Sequence, residues 1–157
     1  MREQQELSEA DAIRSTFIFH PPVDDAAAWQ MTVEGFVHAL TAAFPEAFTK
    51  YRTSGLRRNS VVDFEVEVQP ETWVEGVAST PVENSAVITV VGATAAEAAH
   101  FALWLRSGLV PRPDLIRFSS ERALDSGDDT EWQIPAGGGF EEIRSLVAEH
   151  VEALDGE

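Results

Sequence analysis

Apolar and acidic residues alternate through residues 60–69. Val62, Phe64, Val66 and Val68 fall on one side of an extended chain, and Asp63, Glu65, Glu67 and Gln69 fall on the other, because successive side chains of a strand point to opposite faces. Pro70 ends the run. With residues 47–53 before it and a turn through 54–59, the pattern predicts a β-hairpin. Residues 73–78 are expected to add a short edge strand. Residues 85–91 (SAVITVV) are apolar on both sides, which suits the centre of a sheet. The run TFIFH at 16–20, stopped by Pro21 and Pro22, predicts one more short buried strand.

Elsewhere the apolar spacing changes to three and four. Trp29, Val33, Phe36, Val37, Leu40 and Phe44 predict an amphipathic helix that starts after Asp24 and Asp25 and ends at Pro45. Thr94 and Glu97 have the spacing of a capping box. The helix they open carries Ala98, Ala99, Ala102, Leu103 and Leu105 and stops near Gly108, with Pro111 and Pro113 beyond. A last helix over about 139–154 aligns Phe140, Ile143, Leu146, Val147, Val151 and Leu154. Residues 115–119 and 130–134 predict a second hairpin that turns through 125–129.

This order lacks the β-α-β rhythm of a parallel sheet. It predicts an α+β fold: a mainly antiparallel sheet of about five to six strands, with three helices packed on one face. The other face is left to water or to a partner. Residues 15–157 are read as a single domain and 1–14 as a disordered or frayed segment.

Charge sharpens this picture. The chain of 157 residues carries 27 acids against ten arginines and the single Lys50, a net charge of −16. Six acids and no base lie between Asn59 and Val91, and eleven acids face only Arg122 and Arg144 from Glu121 onward. Such a surface repels phosphates, so nucleic acid and anionic membranes are not expected as partners; a cationic protein is attracted and steered. The plainer alternative is that the acidity serves solubility. The absence of cysteine excludes disulfides and thiolate metal sites. No stretch has the apolar core of a signal peptide or the length of a membrane span, so a cytoplasmic location is expected. Richness in Ala, Val, Glu and Arg with one lysine is what a high-GC bacterial coding sequence gives.

The candidate chemistry is sparse. His20, His38, His100 and His150 are scattered and lack metal-ligand spacing; Glu97 of the pair Glu97 and His100 is better explained by the capping box. No G-x-S-x-G or S-x-x-K is present, and nothing marks a base for the serines of Ser119-Ser120-Glu121. Pro135 to Gly139 precedes a helix, yet no lysine follows, and Glu141 and Glu142 occupy the place of a bound anion. The acidic turn from Asp125 to Glu131 is out of register for a calcium loop. The expectation is therefore a non-enzymatic chain with no catalytic residues, no metal and no cofactor. A basic island, Lys50, Arg52, Arg57 and Arg58, has no assigned role.

The feature that stands out is the acid ladder. Asp63, Glu65 and Glu67 share one strand face, roughly 6.5–7 Å apart, and repel one another, so that face must be wet. Glu75 and Trp73 extend it. An exposed tryptophan among acids is a typical interface anchor, and of the four tryptophans Trp73, between Glu71 and Glu75, is the one expected at the surface. Asp63, Glu65, Glu67, Glu75 and Trp73 are the candidate partner-binding residues.

Two resemblances bear on function. From Asp24 onward the predicted order of helix, three strands, helix, two strands, helix is similar to that of the small acidic chaperones of bacterial secretion systems; the strand at 16–20 is an addition. That resemblance implies a homodimer that binds extended client segments. In size, acidity, lack of cysteine and lack of catalytic motifs the chain also resembles the immunity proteins of bacterial toxin systems, which implies a cytoplasmic inhibitor of a basic toxin. The sequence thus favours protein binding through an acidic surface, immunity-like first and chaperone-like second. The competing class is a small enzyme or ligand-binding domain. That reading expects a cleft where His20, His38 or His100 meets a carboxylate or serine.

Overall fold

The computed structural model describes residues 13–52, 61–82, 85–128 and 130–155. The elements run β1 (Ser15–His20), α1 (Val33–Ala43), β2 (Phe48–Tyr51), β3 (Val61–Gln69), β4 (Thr72–Val82), β5 (Ser85–Ala93), α2 (Ala95–Gly108), β6 (Arg117–Ser120), α3 (Glu121–Asp125), β7 (Trp132–Gln133) and α4 (Phe140–Asp155). All strands join one sheet in the order β2-β3-β4-β5-β1-β6-β7, and every pairing is antiparallel. The α+β class holds. Among the described residues the sheet has seven strands rather than five or six, and a fourth, short helix joins the three expected ones.

The alternation along β3 places the core. Val62, Phe64, Val66 and Val68 are buried, and register carries the same face through Gly76 and Ala78, Ile88 and Val90, Phe17 and Phe19, to Phe118. The three longer helices close on it. Phe36 of α1 meets Phe64 edge-on at 5.2 Å, and Phe101 of α2 stacks on Phe64 at 5.5 Å. His150 of α4 meets Phe118 edge-on at 5.1 Å. Removing one such buried ring costs about 3–5 kcal/mol. The opposite face has no helix of this chain upon it among the described residues.

Several expectations need correction. The first helix starts at Val33, not after Asp25. Residues 22–30 fold into successive turns, with Asp25 N–H donating to the Pro22 carbonyl at 2.9 Å, Ala28 N–H to Asp25 at 3.0 Å and Gln30 N–H to Ala27 at 3.0 Å. Gln30 sits at φ 53°, which breaks a helix. Trp29 is buried all the same: its Nε1–H donates to the Leu115 carbonyl at 2.7 Å. The helix takes its cap from Thr32, whose Oγ1 accepts Gly35 N–H at 2.9 Å. The strand expected at an edge, β4, lies between β3 and β5 and is eleven residues long. Finally, β6 and β7 do pair, but the connection is the helix α3, nucleated by Ser120 accepting Ala123 N–H at 3.2 Å. The capping box stands as read, with Thr94 Oγ1 accepting Glu97 N–H and Glu97 Oε1 accepting Thr94 N–H.

Residues 1–12, including most of the segment expected to fray, lie outside the described residues, as do the hairpin turn at 54–59 and with it Arg57 and Arg58.

Candidate functional site: the open face of the sheet

Strand pleating that sends Phe64 into the core sends Asp63, Glu65 and Glu67 outward. Pairing then fixes their neighbours. Lys50 stands opposite Asp63, Phe48 opposite Glu65, Glu75 opposite Glu65 on the other side, and Trp73 opposite Glu67. Farther across, Val77, Thr89, Ile18 and Ser119 continue the row that starts at Lys50 and Asp63. All five candidate residues therefore share one face, which also carries the exposed apolar side chains Phe48, Trp73 and Val91.

Their electrostatic surroundings differ. Asp63 accepts from Arg52 Nη2 at 2.8 Å and Nε at 3.1 Å. That hydrogen bond, first, and the charges of Arg52 and Lys50 hold its carboxyl below the usual range. Two members of the basic island thus neutralise the nearest acid of the ladder. Glu67 accepts the backbone N–H of Glu71 at 2.7 Å and closes the β3–β4 turn, where Glu71 sits at φ 65°. Glu65 and Glu75 have no cation within ion-pair distance among the described residues, although like charges directly opposite each other destabilise a sheet. Arg14 lies nearby, but it is engaged by Glu97 at 3.0 Å and by the Gly92 carbonyl at 2.9 Å.

The face is not flat. An open depression of about 340 Å³ runs past Arg14, Glu65, Glu71, Trp73, Glu75 and Val91. A second, of about 460 Å³, lies toward Phe48, Arg52, Asp63 and Val77 and shares Glu65, Glu75 and Val91 with the first. The two form a continuous acidic trough with apolar patches. On the other flank of Trp73 a third depression, of about 300 Å³, is lined by Phe44, Pro45, Glu46, Ala47 and Glu67. Trp73, 54 % exposed, is the ridge between them.

The histidines weighed for catalysis do not assemble a site. His20 Nδ1 lies 2.7 Å from the Pro21 carbonyl, His100 stacks on Phe140 at 4.0 Å, and His38 is exposed. None of the three has a serine hydroxyl or carboxylate within hydrogen-bond reach among the described residues. A pair that the sequence did not reveal is Ser120 and His150, with Oγ and Nε2 2.9 Å apart. Thirty residues separate them, and no local pattern marks them as partners. Both are sealed in the core at 0 % and 1 % exposure, and Ser120 also caps α3. His150 Nδ1 and the neighbouring Trp132 Nε1 are buried without a hydrogen-bond partner.

The glycine-rich segment is held rather than slack. Arg106 donates to the carbonyls of Pro135, Gly137 and Gly138 at 2.7, 3.0 and 2.6 Å, and Glu142 accepts Gly139 N–H at 2.7 Å. Among the described residues no group of three or more His, Asp or Glu is placed to hold a metal ion, and no helix is long and apolar enough to cross a membrane. Comparisons with protein-family models, curated proteins and solved structures return no match.

Proposed function

We propose that this domain binds a basic protein through the open face of its sheet, as an immunity-type inhibitor covers a cationic toxin. The observation that carries this reading is the facing pair Glu65 and Glu75, which have no cation within ion-pair distance among the described residues, beside exposed Trp73 and Phe48. The repulsion between them weakens the domain by itself and is relieved when a cationic surface docks. Glu65, Glu67, Glu75 and Trp73 make the central contacts; Asp63, already paired with Arg52, sits at the margin.

The test is capture from lysate of the source cells on the native chain and on a Glu65→Lys, Glu67→Lys, Glu75→Lys chain, followed by affinity measurement on the purified partner. A basic protein held by the native chain alone, with affinity falling as salt rises, supports the reading. Equal binding by both chains refutes it.

The apolar lining of the trough, Val77, Val91 and Phe48, favours a second reading, a client-binding dimer of the secretion-chaperone kind. Sedimentation of the purified chain separates the two, since only the second expects a dimer before any partner is added.

A further inference from the structure

We propose that Trp73 is the seat of an arginine side chain from the protein that docks on the open sheet face. The inference rests on the docking reading above and specifies its chemistry.

Trp73 differs from the other tryptophans in its surroundings. Trp29 is buried at 2 %, and Trp104 and Trp132 are partly buried against the core. Trp73 is more than half exposed on a face that no helix covers among the described residues. Glu67 stands directly across from it, Glu75 lies two residues on along the same strand face, Glu71 sits in the β3–β4 turn two residues before, and Glu65 lies diagonally. Glu46 closes the far flank. None of these five carboxylates has a cation within ion-pair distance among the described residues. Glu67 is fixed in place by the turn that it closes.

An aromatic face ringed by carboxylates sets demands that few side chains meet. An apolar group laid on the indole would strip water from the carboxylates without replacing its hydrogen bonds. An anion is repelled. An ammonium group satisfies one carboxylate at a time and keeps much of its own water. A guanidinium is flat and weakly hydrated. It stacks on the indole while its in-plane N–H groups reach carboxylates on both sides. Charge thus selects a cation, and shape and weak hydration select arginine over lysine.

The experiment uses the native chain and two synthetic peptides of one sequence, every cation arginine in the first and lysine in the second. Binding is followed by calorimetry and by tryptophan fluorescence at about 0.15 M ionic strength. The arginine peptide is expected to bind about two- to fivefold tighter, the ratio of an exposed cation–π contact. Trp73→Leu should erase that preference and Trp73→Phe should keep part of it; melting curves check that both variants are folded. If the peptides bind equally and Trp73→Leu changes nothing, while Glu65→Gln with Glu75→Gln weakens both, the arginine seat is refuted and the docking face stands. If neither peptide binds even at low salt, both readings fall.

Discussion

Phe64 on β3 and Gly76 on β4 stand directly opposite each other, and the Phe64 ring takes the space that a side chain at 76 would need. A Cβ there would lie 2.9 Å from the Phe64 ring and closer still to the Thr89 carbonyl oxygen of β5. Phe64 in turn touches α1 and α2 through Phe36 and Phe101, so the glycine lets the core ring lie flat on the sheet. Gly76→Ala is expected to cost about 2–3 kcal/mol through overpacking, read as a lower urea midpoint. An unchanged midpoint would show that β4 and β5 can part at no cost.

Acid should loosen the α4 end of the core. Burial pushes the His150 imidazole below its ordinary 6.5, with the charge of Asp128 pulling the other way; Ser120, Phe118 and Trp132 enclose the rest. Burial shifts His100 in the same direction. The unfolded chain takes up these protons near 6.5, whereas the folded chain takes them only at lower pH. The stabilisation is thus complete above about 6.5 and is lost as pH falls toward the lowered native values, by at most about 1.4 kcal/mol per group and pH unit. Urea midpoints at about pH 7 and pH 5 should show the loss, and His150→Gln should shrink the difference. A variant with the native pH dependence would place the effect elsewhere.

Arg106 ties α2 to the start of α4. Three hydrogen bonds from its guanidinium to Pro135, Gly137 and Gly138 replace the rigidity that three consecutive glycines lack. Arg106→Ala is expected to lower stability by about 1–3 kcal/mol, with hydrogen exchange rising first over residues 135–142. Arg106→Lys should recover little, because one ammonium cannot span the three carbonyls.

Glu75→Gln should raise stability. It removes the like charge opposite Glu65, and no ion pair among the described residues is lost with it. The melting temperature is expected to rise at low salt, with the gain shrinking as salt screens the native repulsion. A fall at every salt concentration would mean that the carboxylate holds a stabilising contact.

Where a residue's own neighbours along the chain decide its place, the sequence was readable. The alternation at 61–69 was enough to orient β3, and Thr94 with Glu97 to start α2. Trp73, between two glutamates, was legible as exposed. The first helix was misjudged because Trp29 fits its apolar spacing but is anchored by a hydrogen bond to Leu115, far along the chain. β4 was misjudged as an edge because strand order is set by pairing between distant segments. The same limit hid the pairing of Asp63 with Arg52 and of Ser120 with His150. A strand's pattern tells which face a side chain takes, and says nothing of which strand lies beside it.

The described sheet ends on two stubs, the four residues of β2 and the two of β7. Each offers few backbone groups to an incoming strand. Growth of the sheet from one molecule into the next is thereby discouraged at both margins, whatever the concentration of the protein. A partner of the kind proposed would then address side chains on the broad surface, where selectivity is a matter of residue identity rather than of main-chain complementarity.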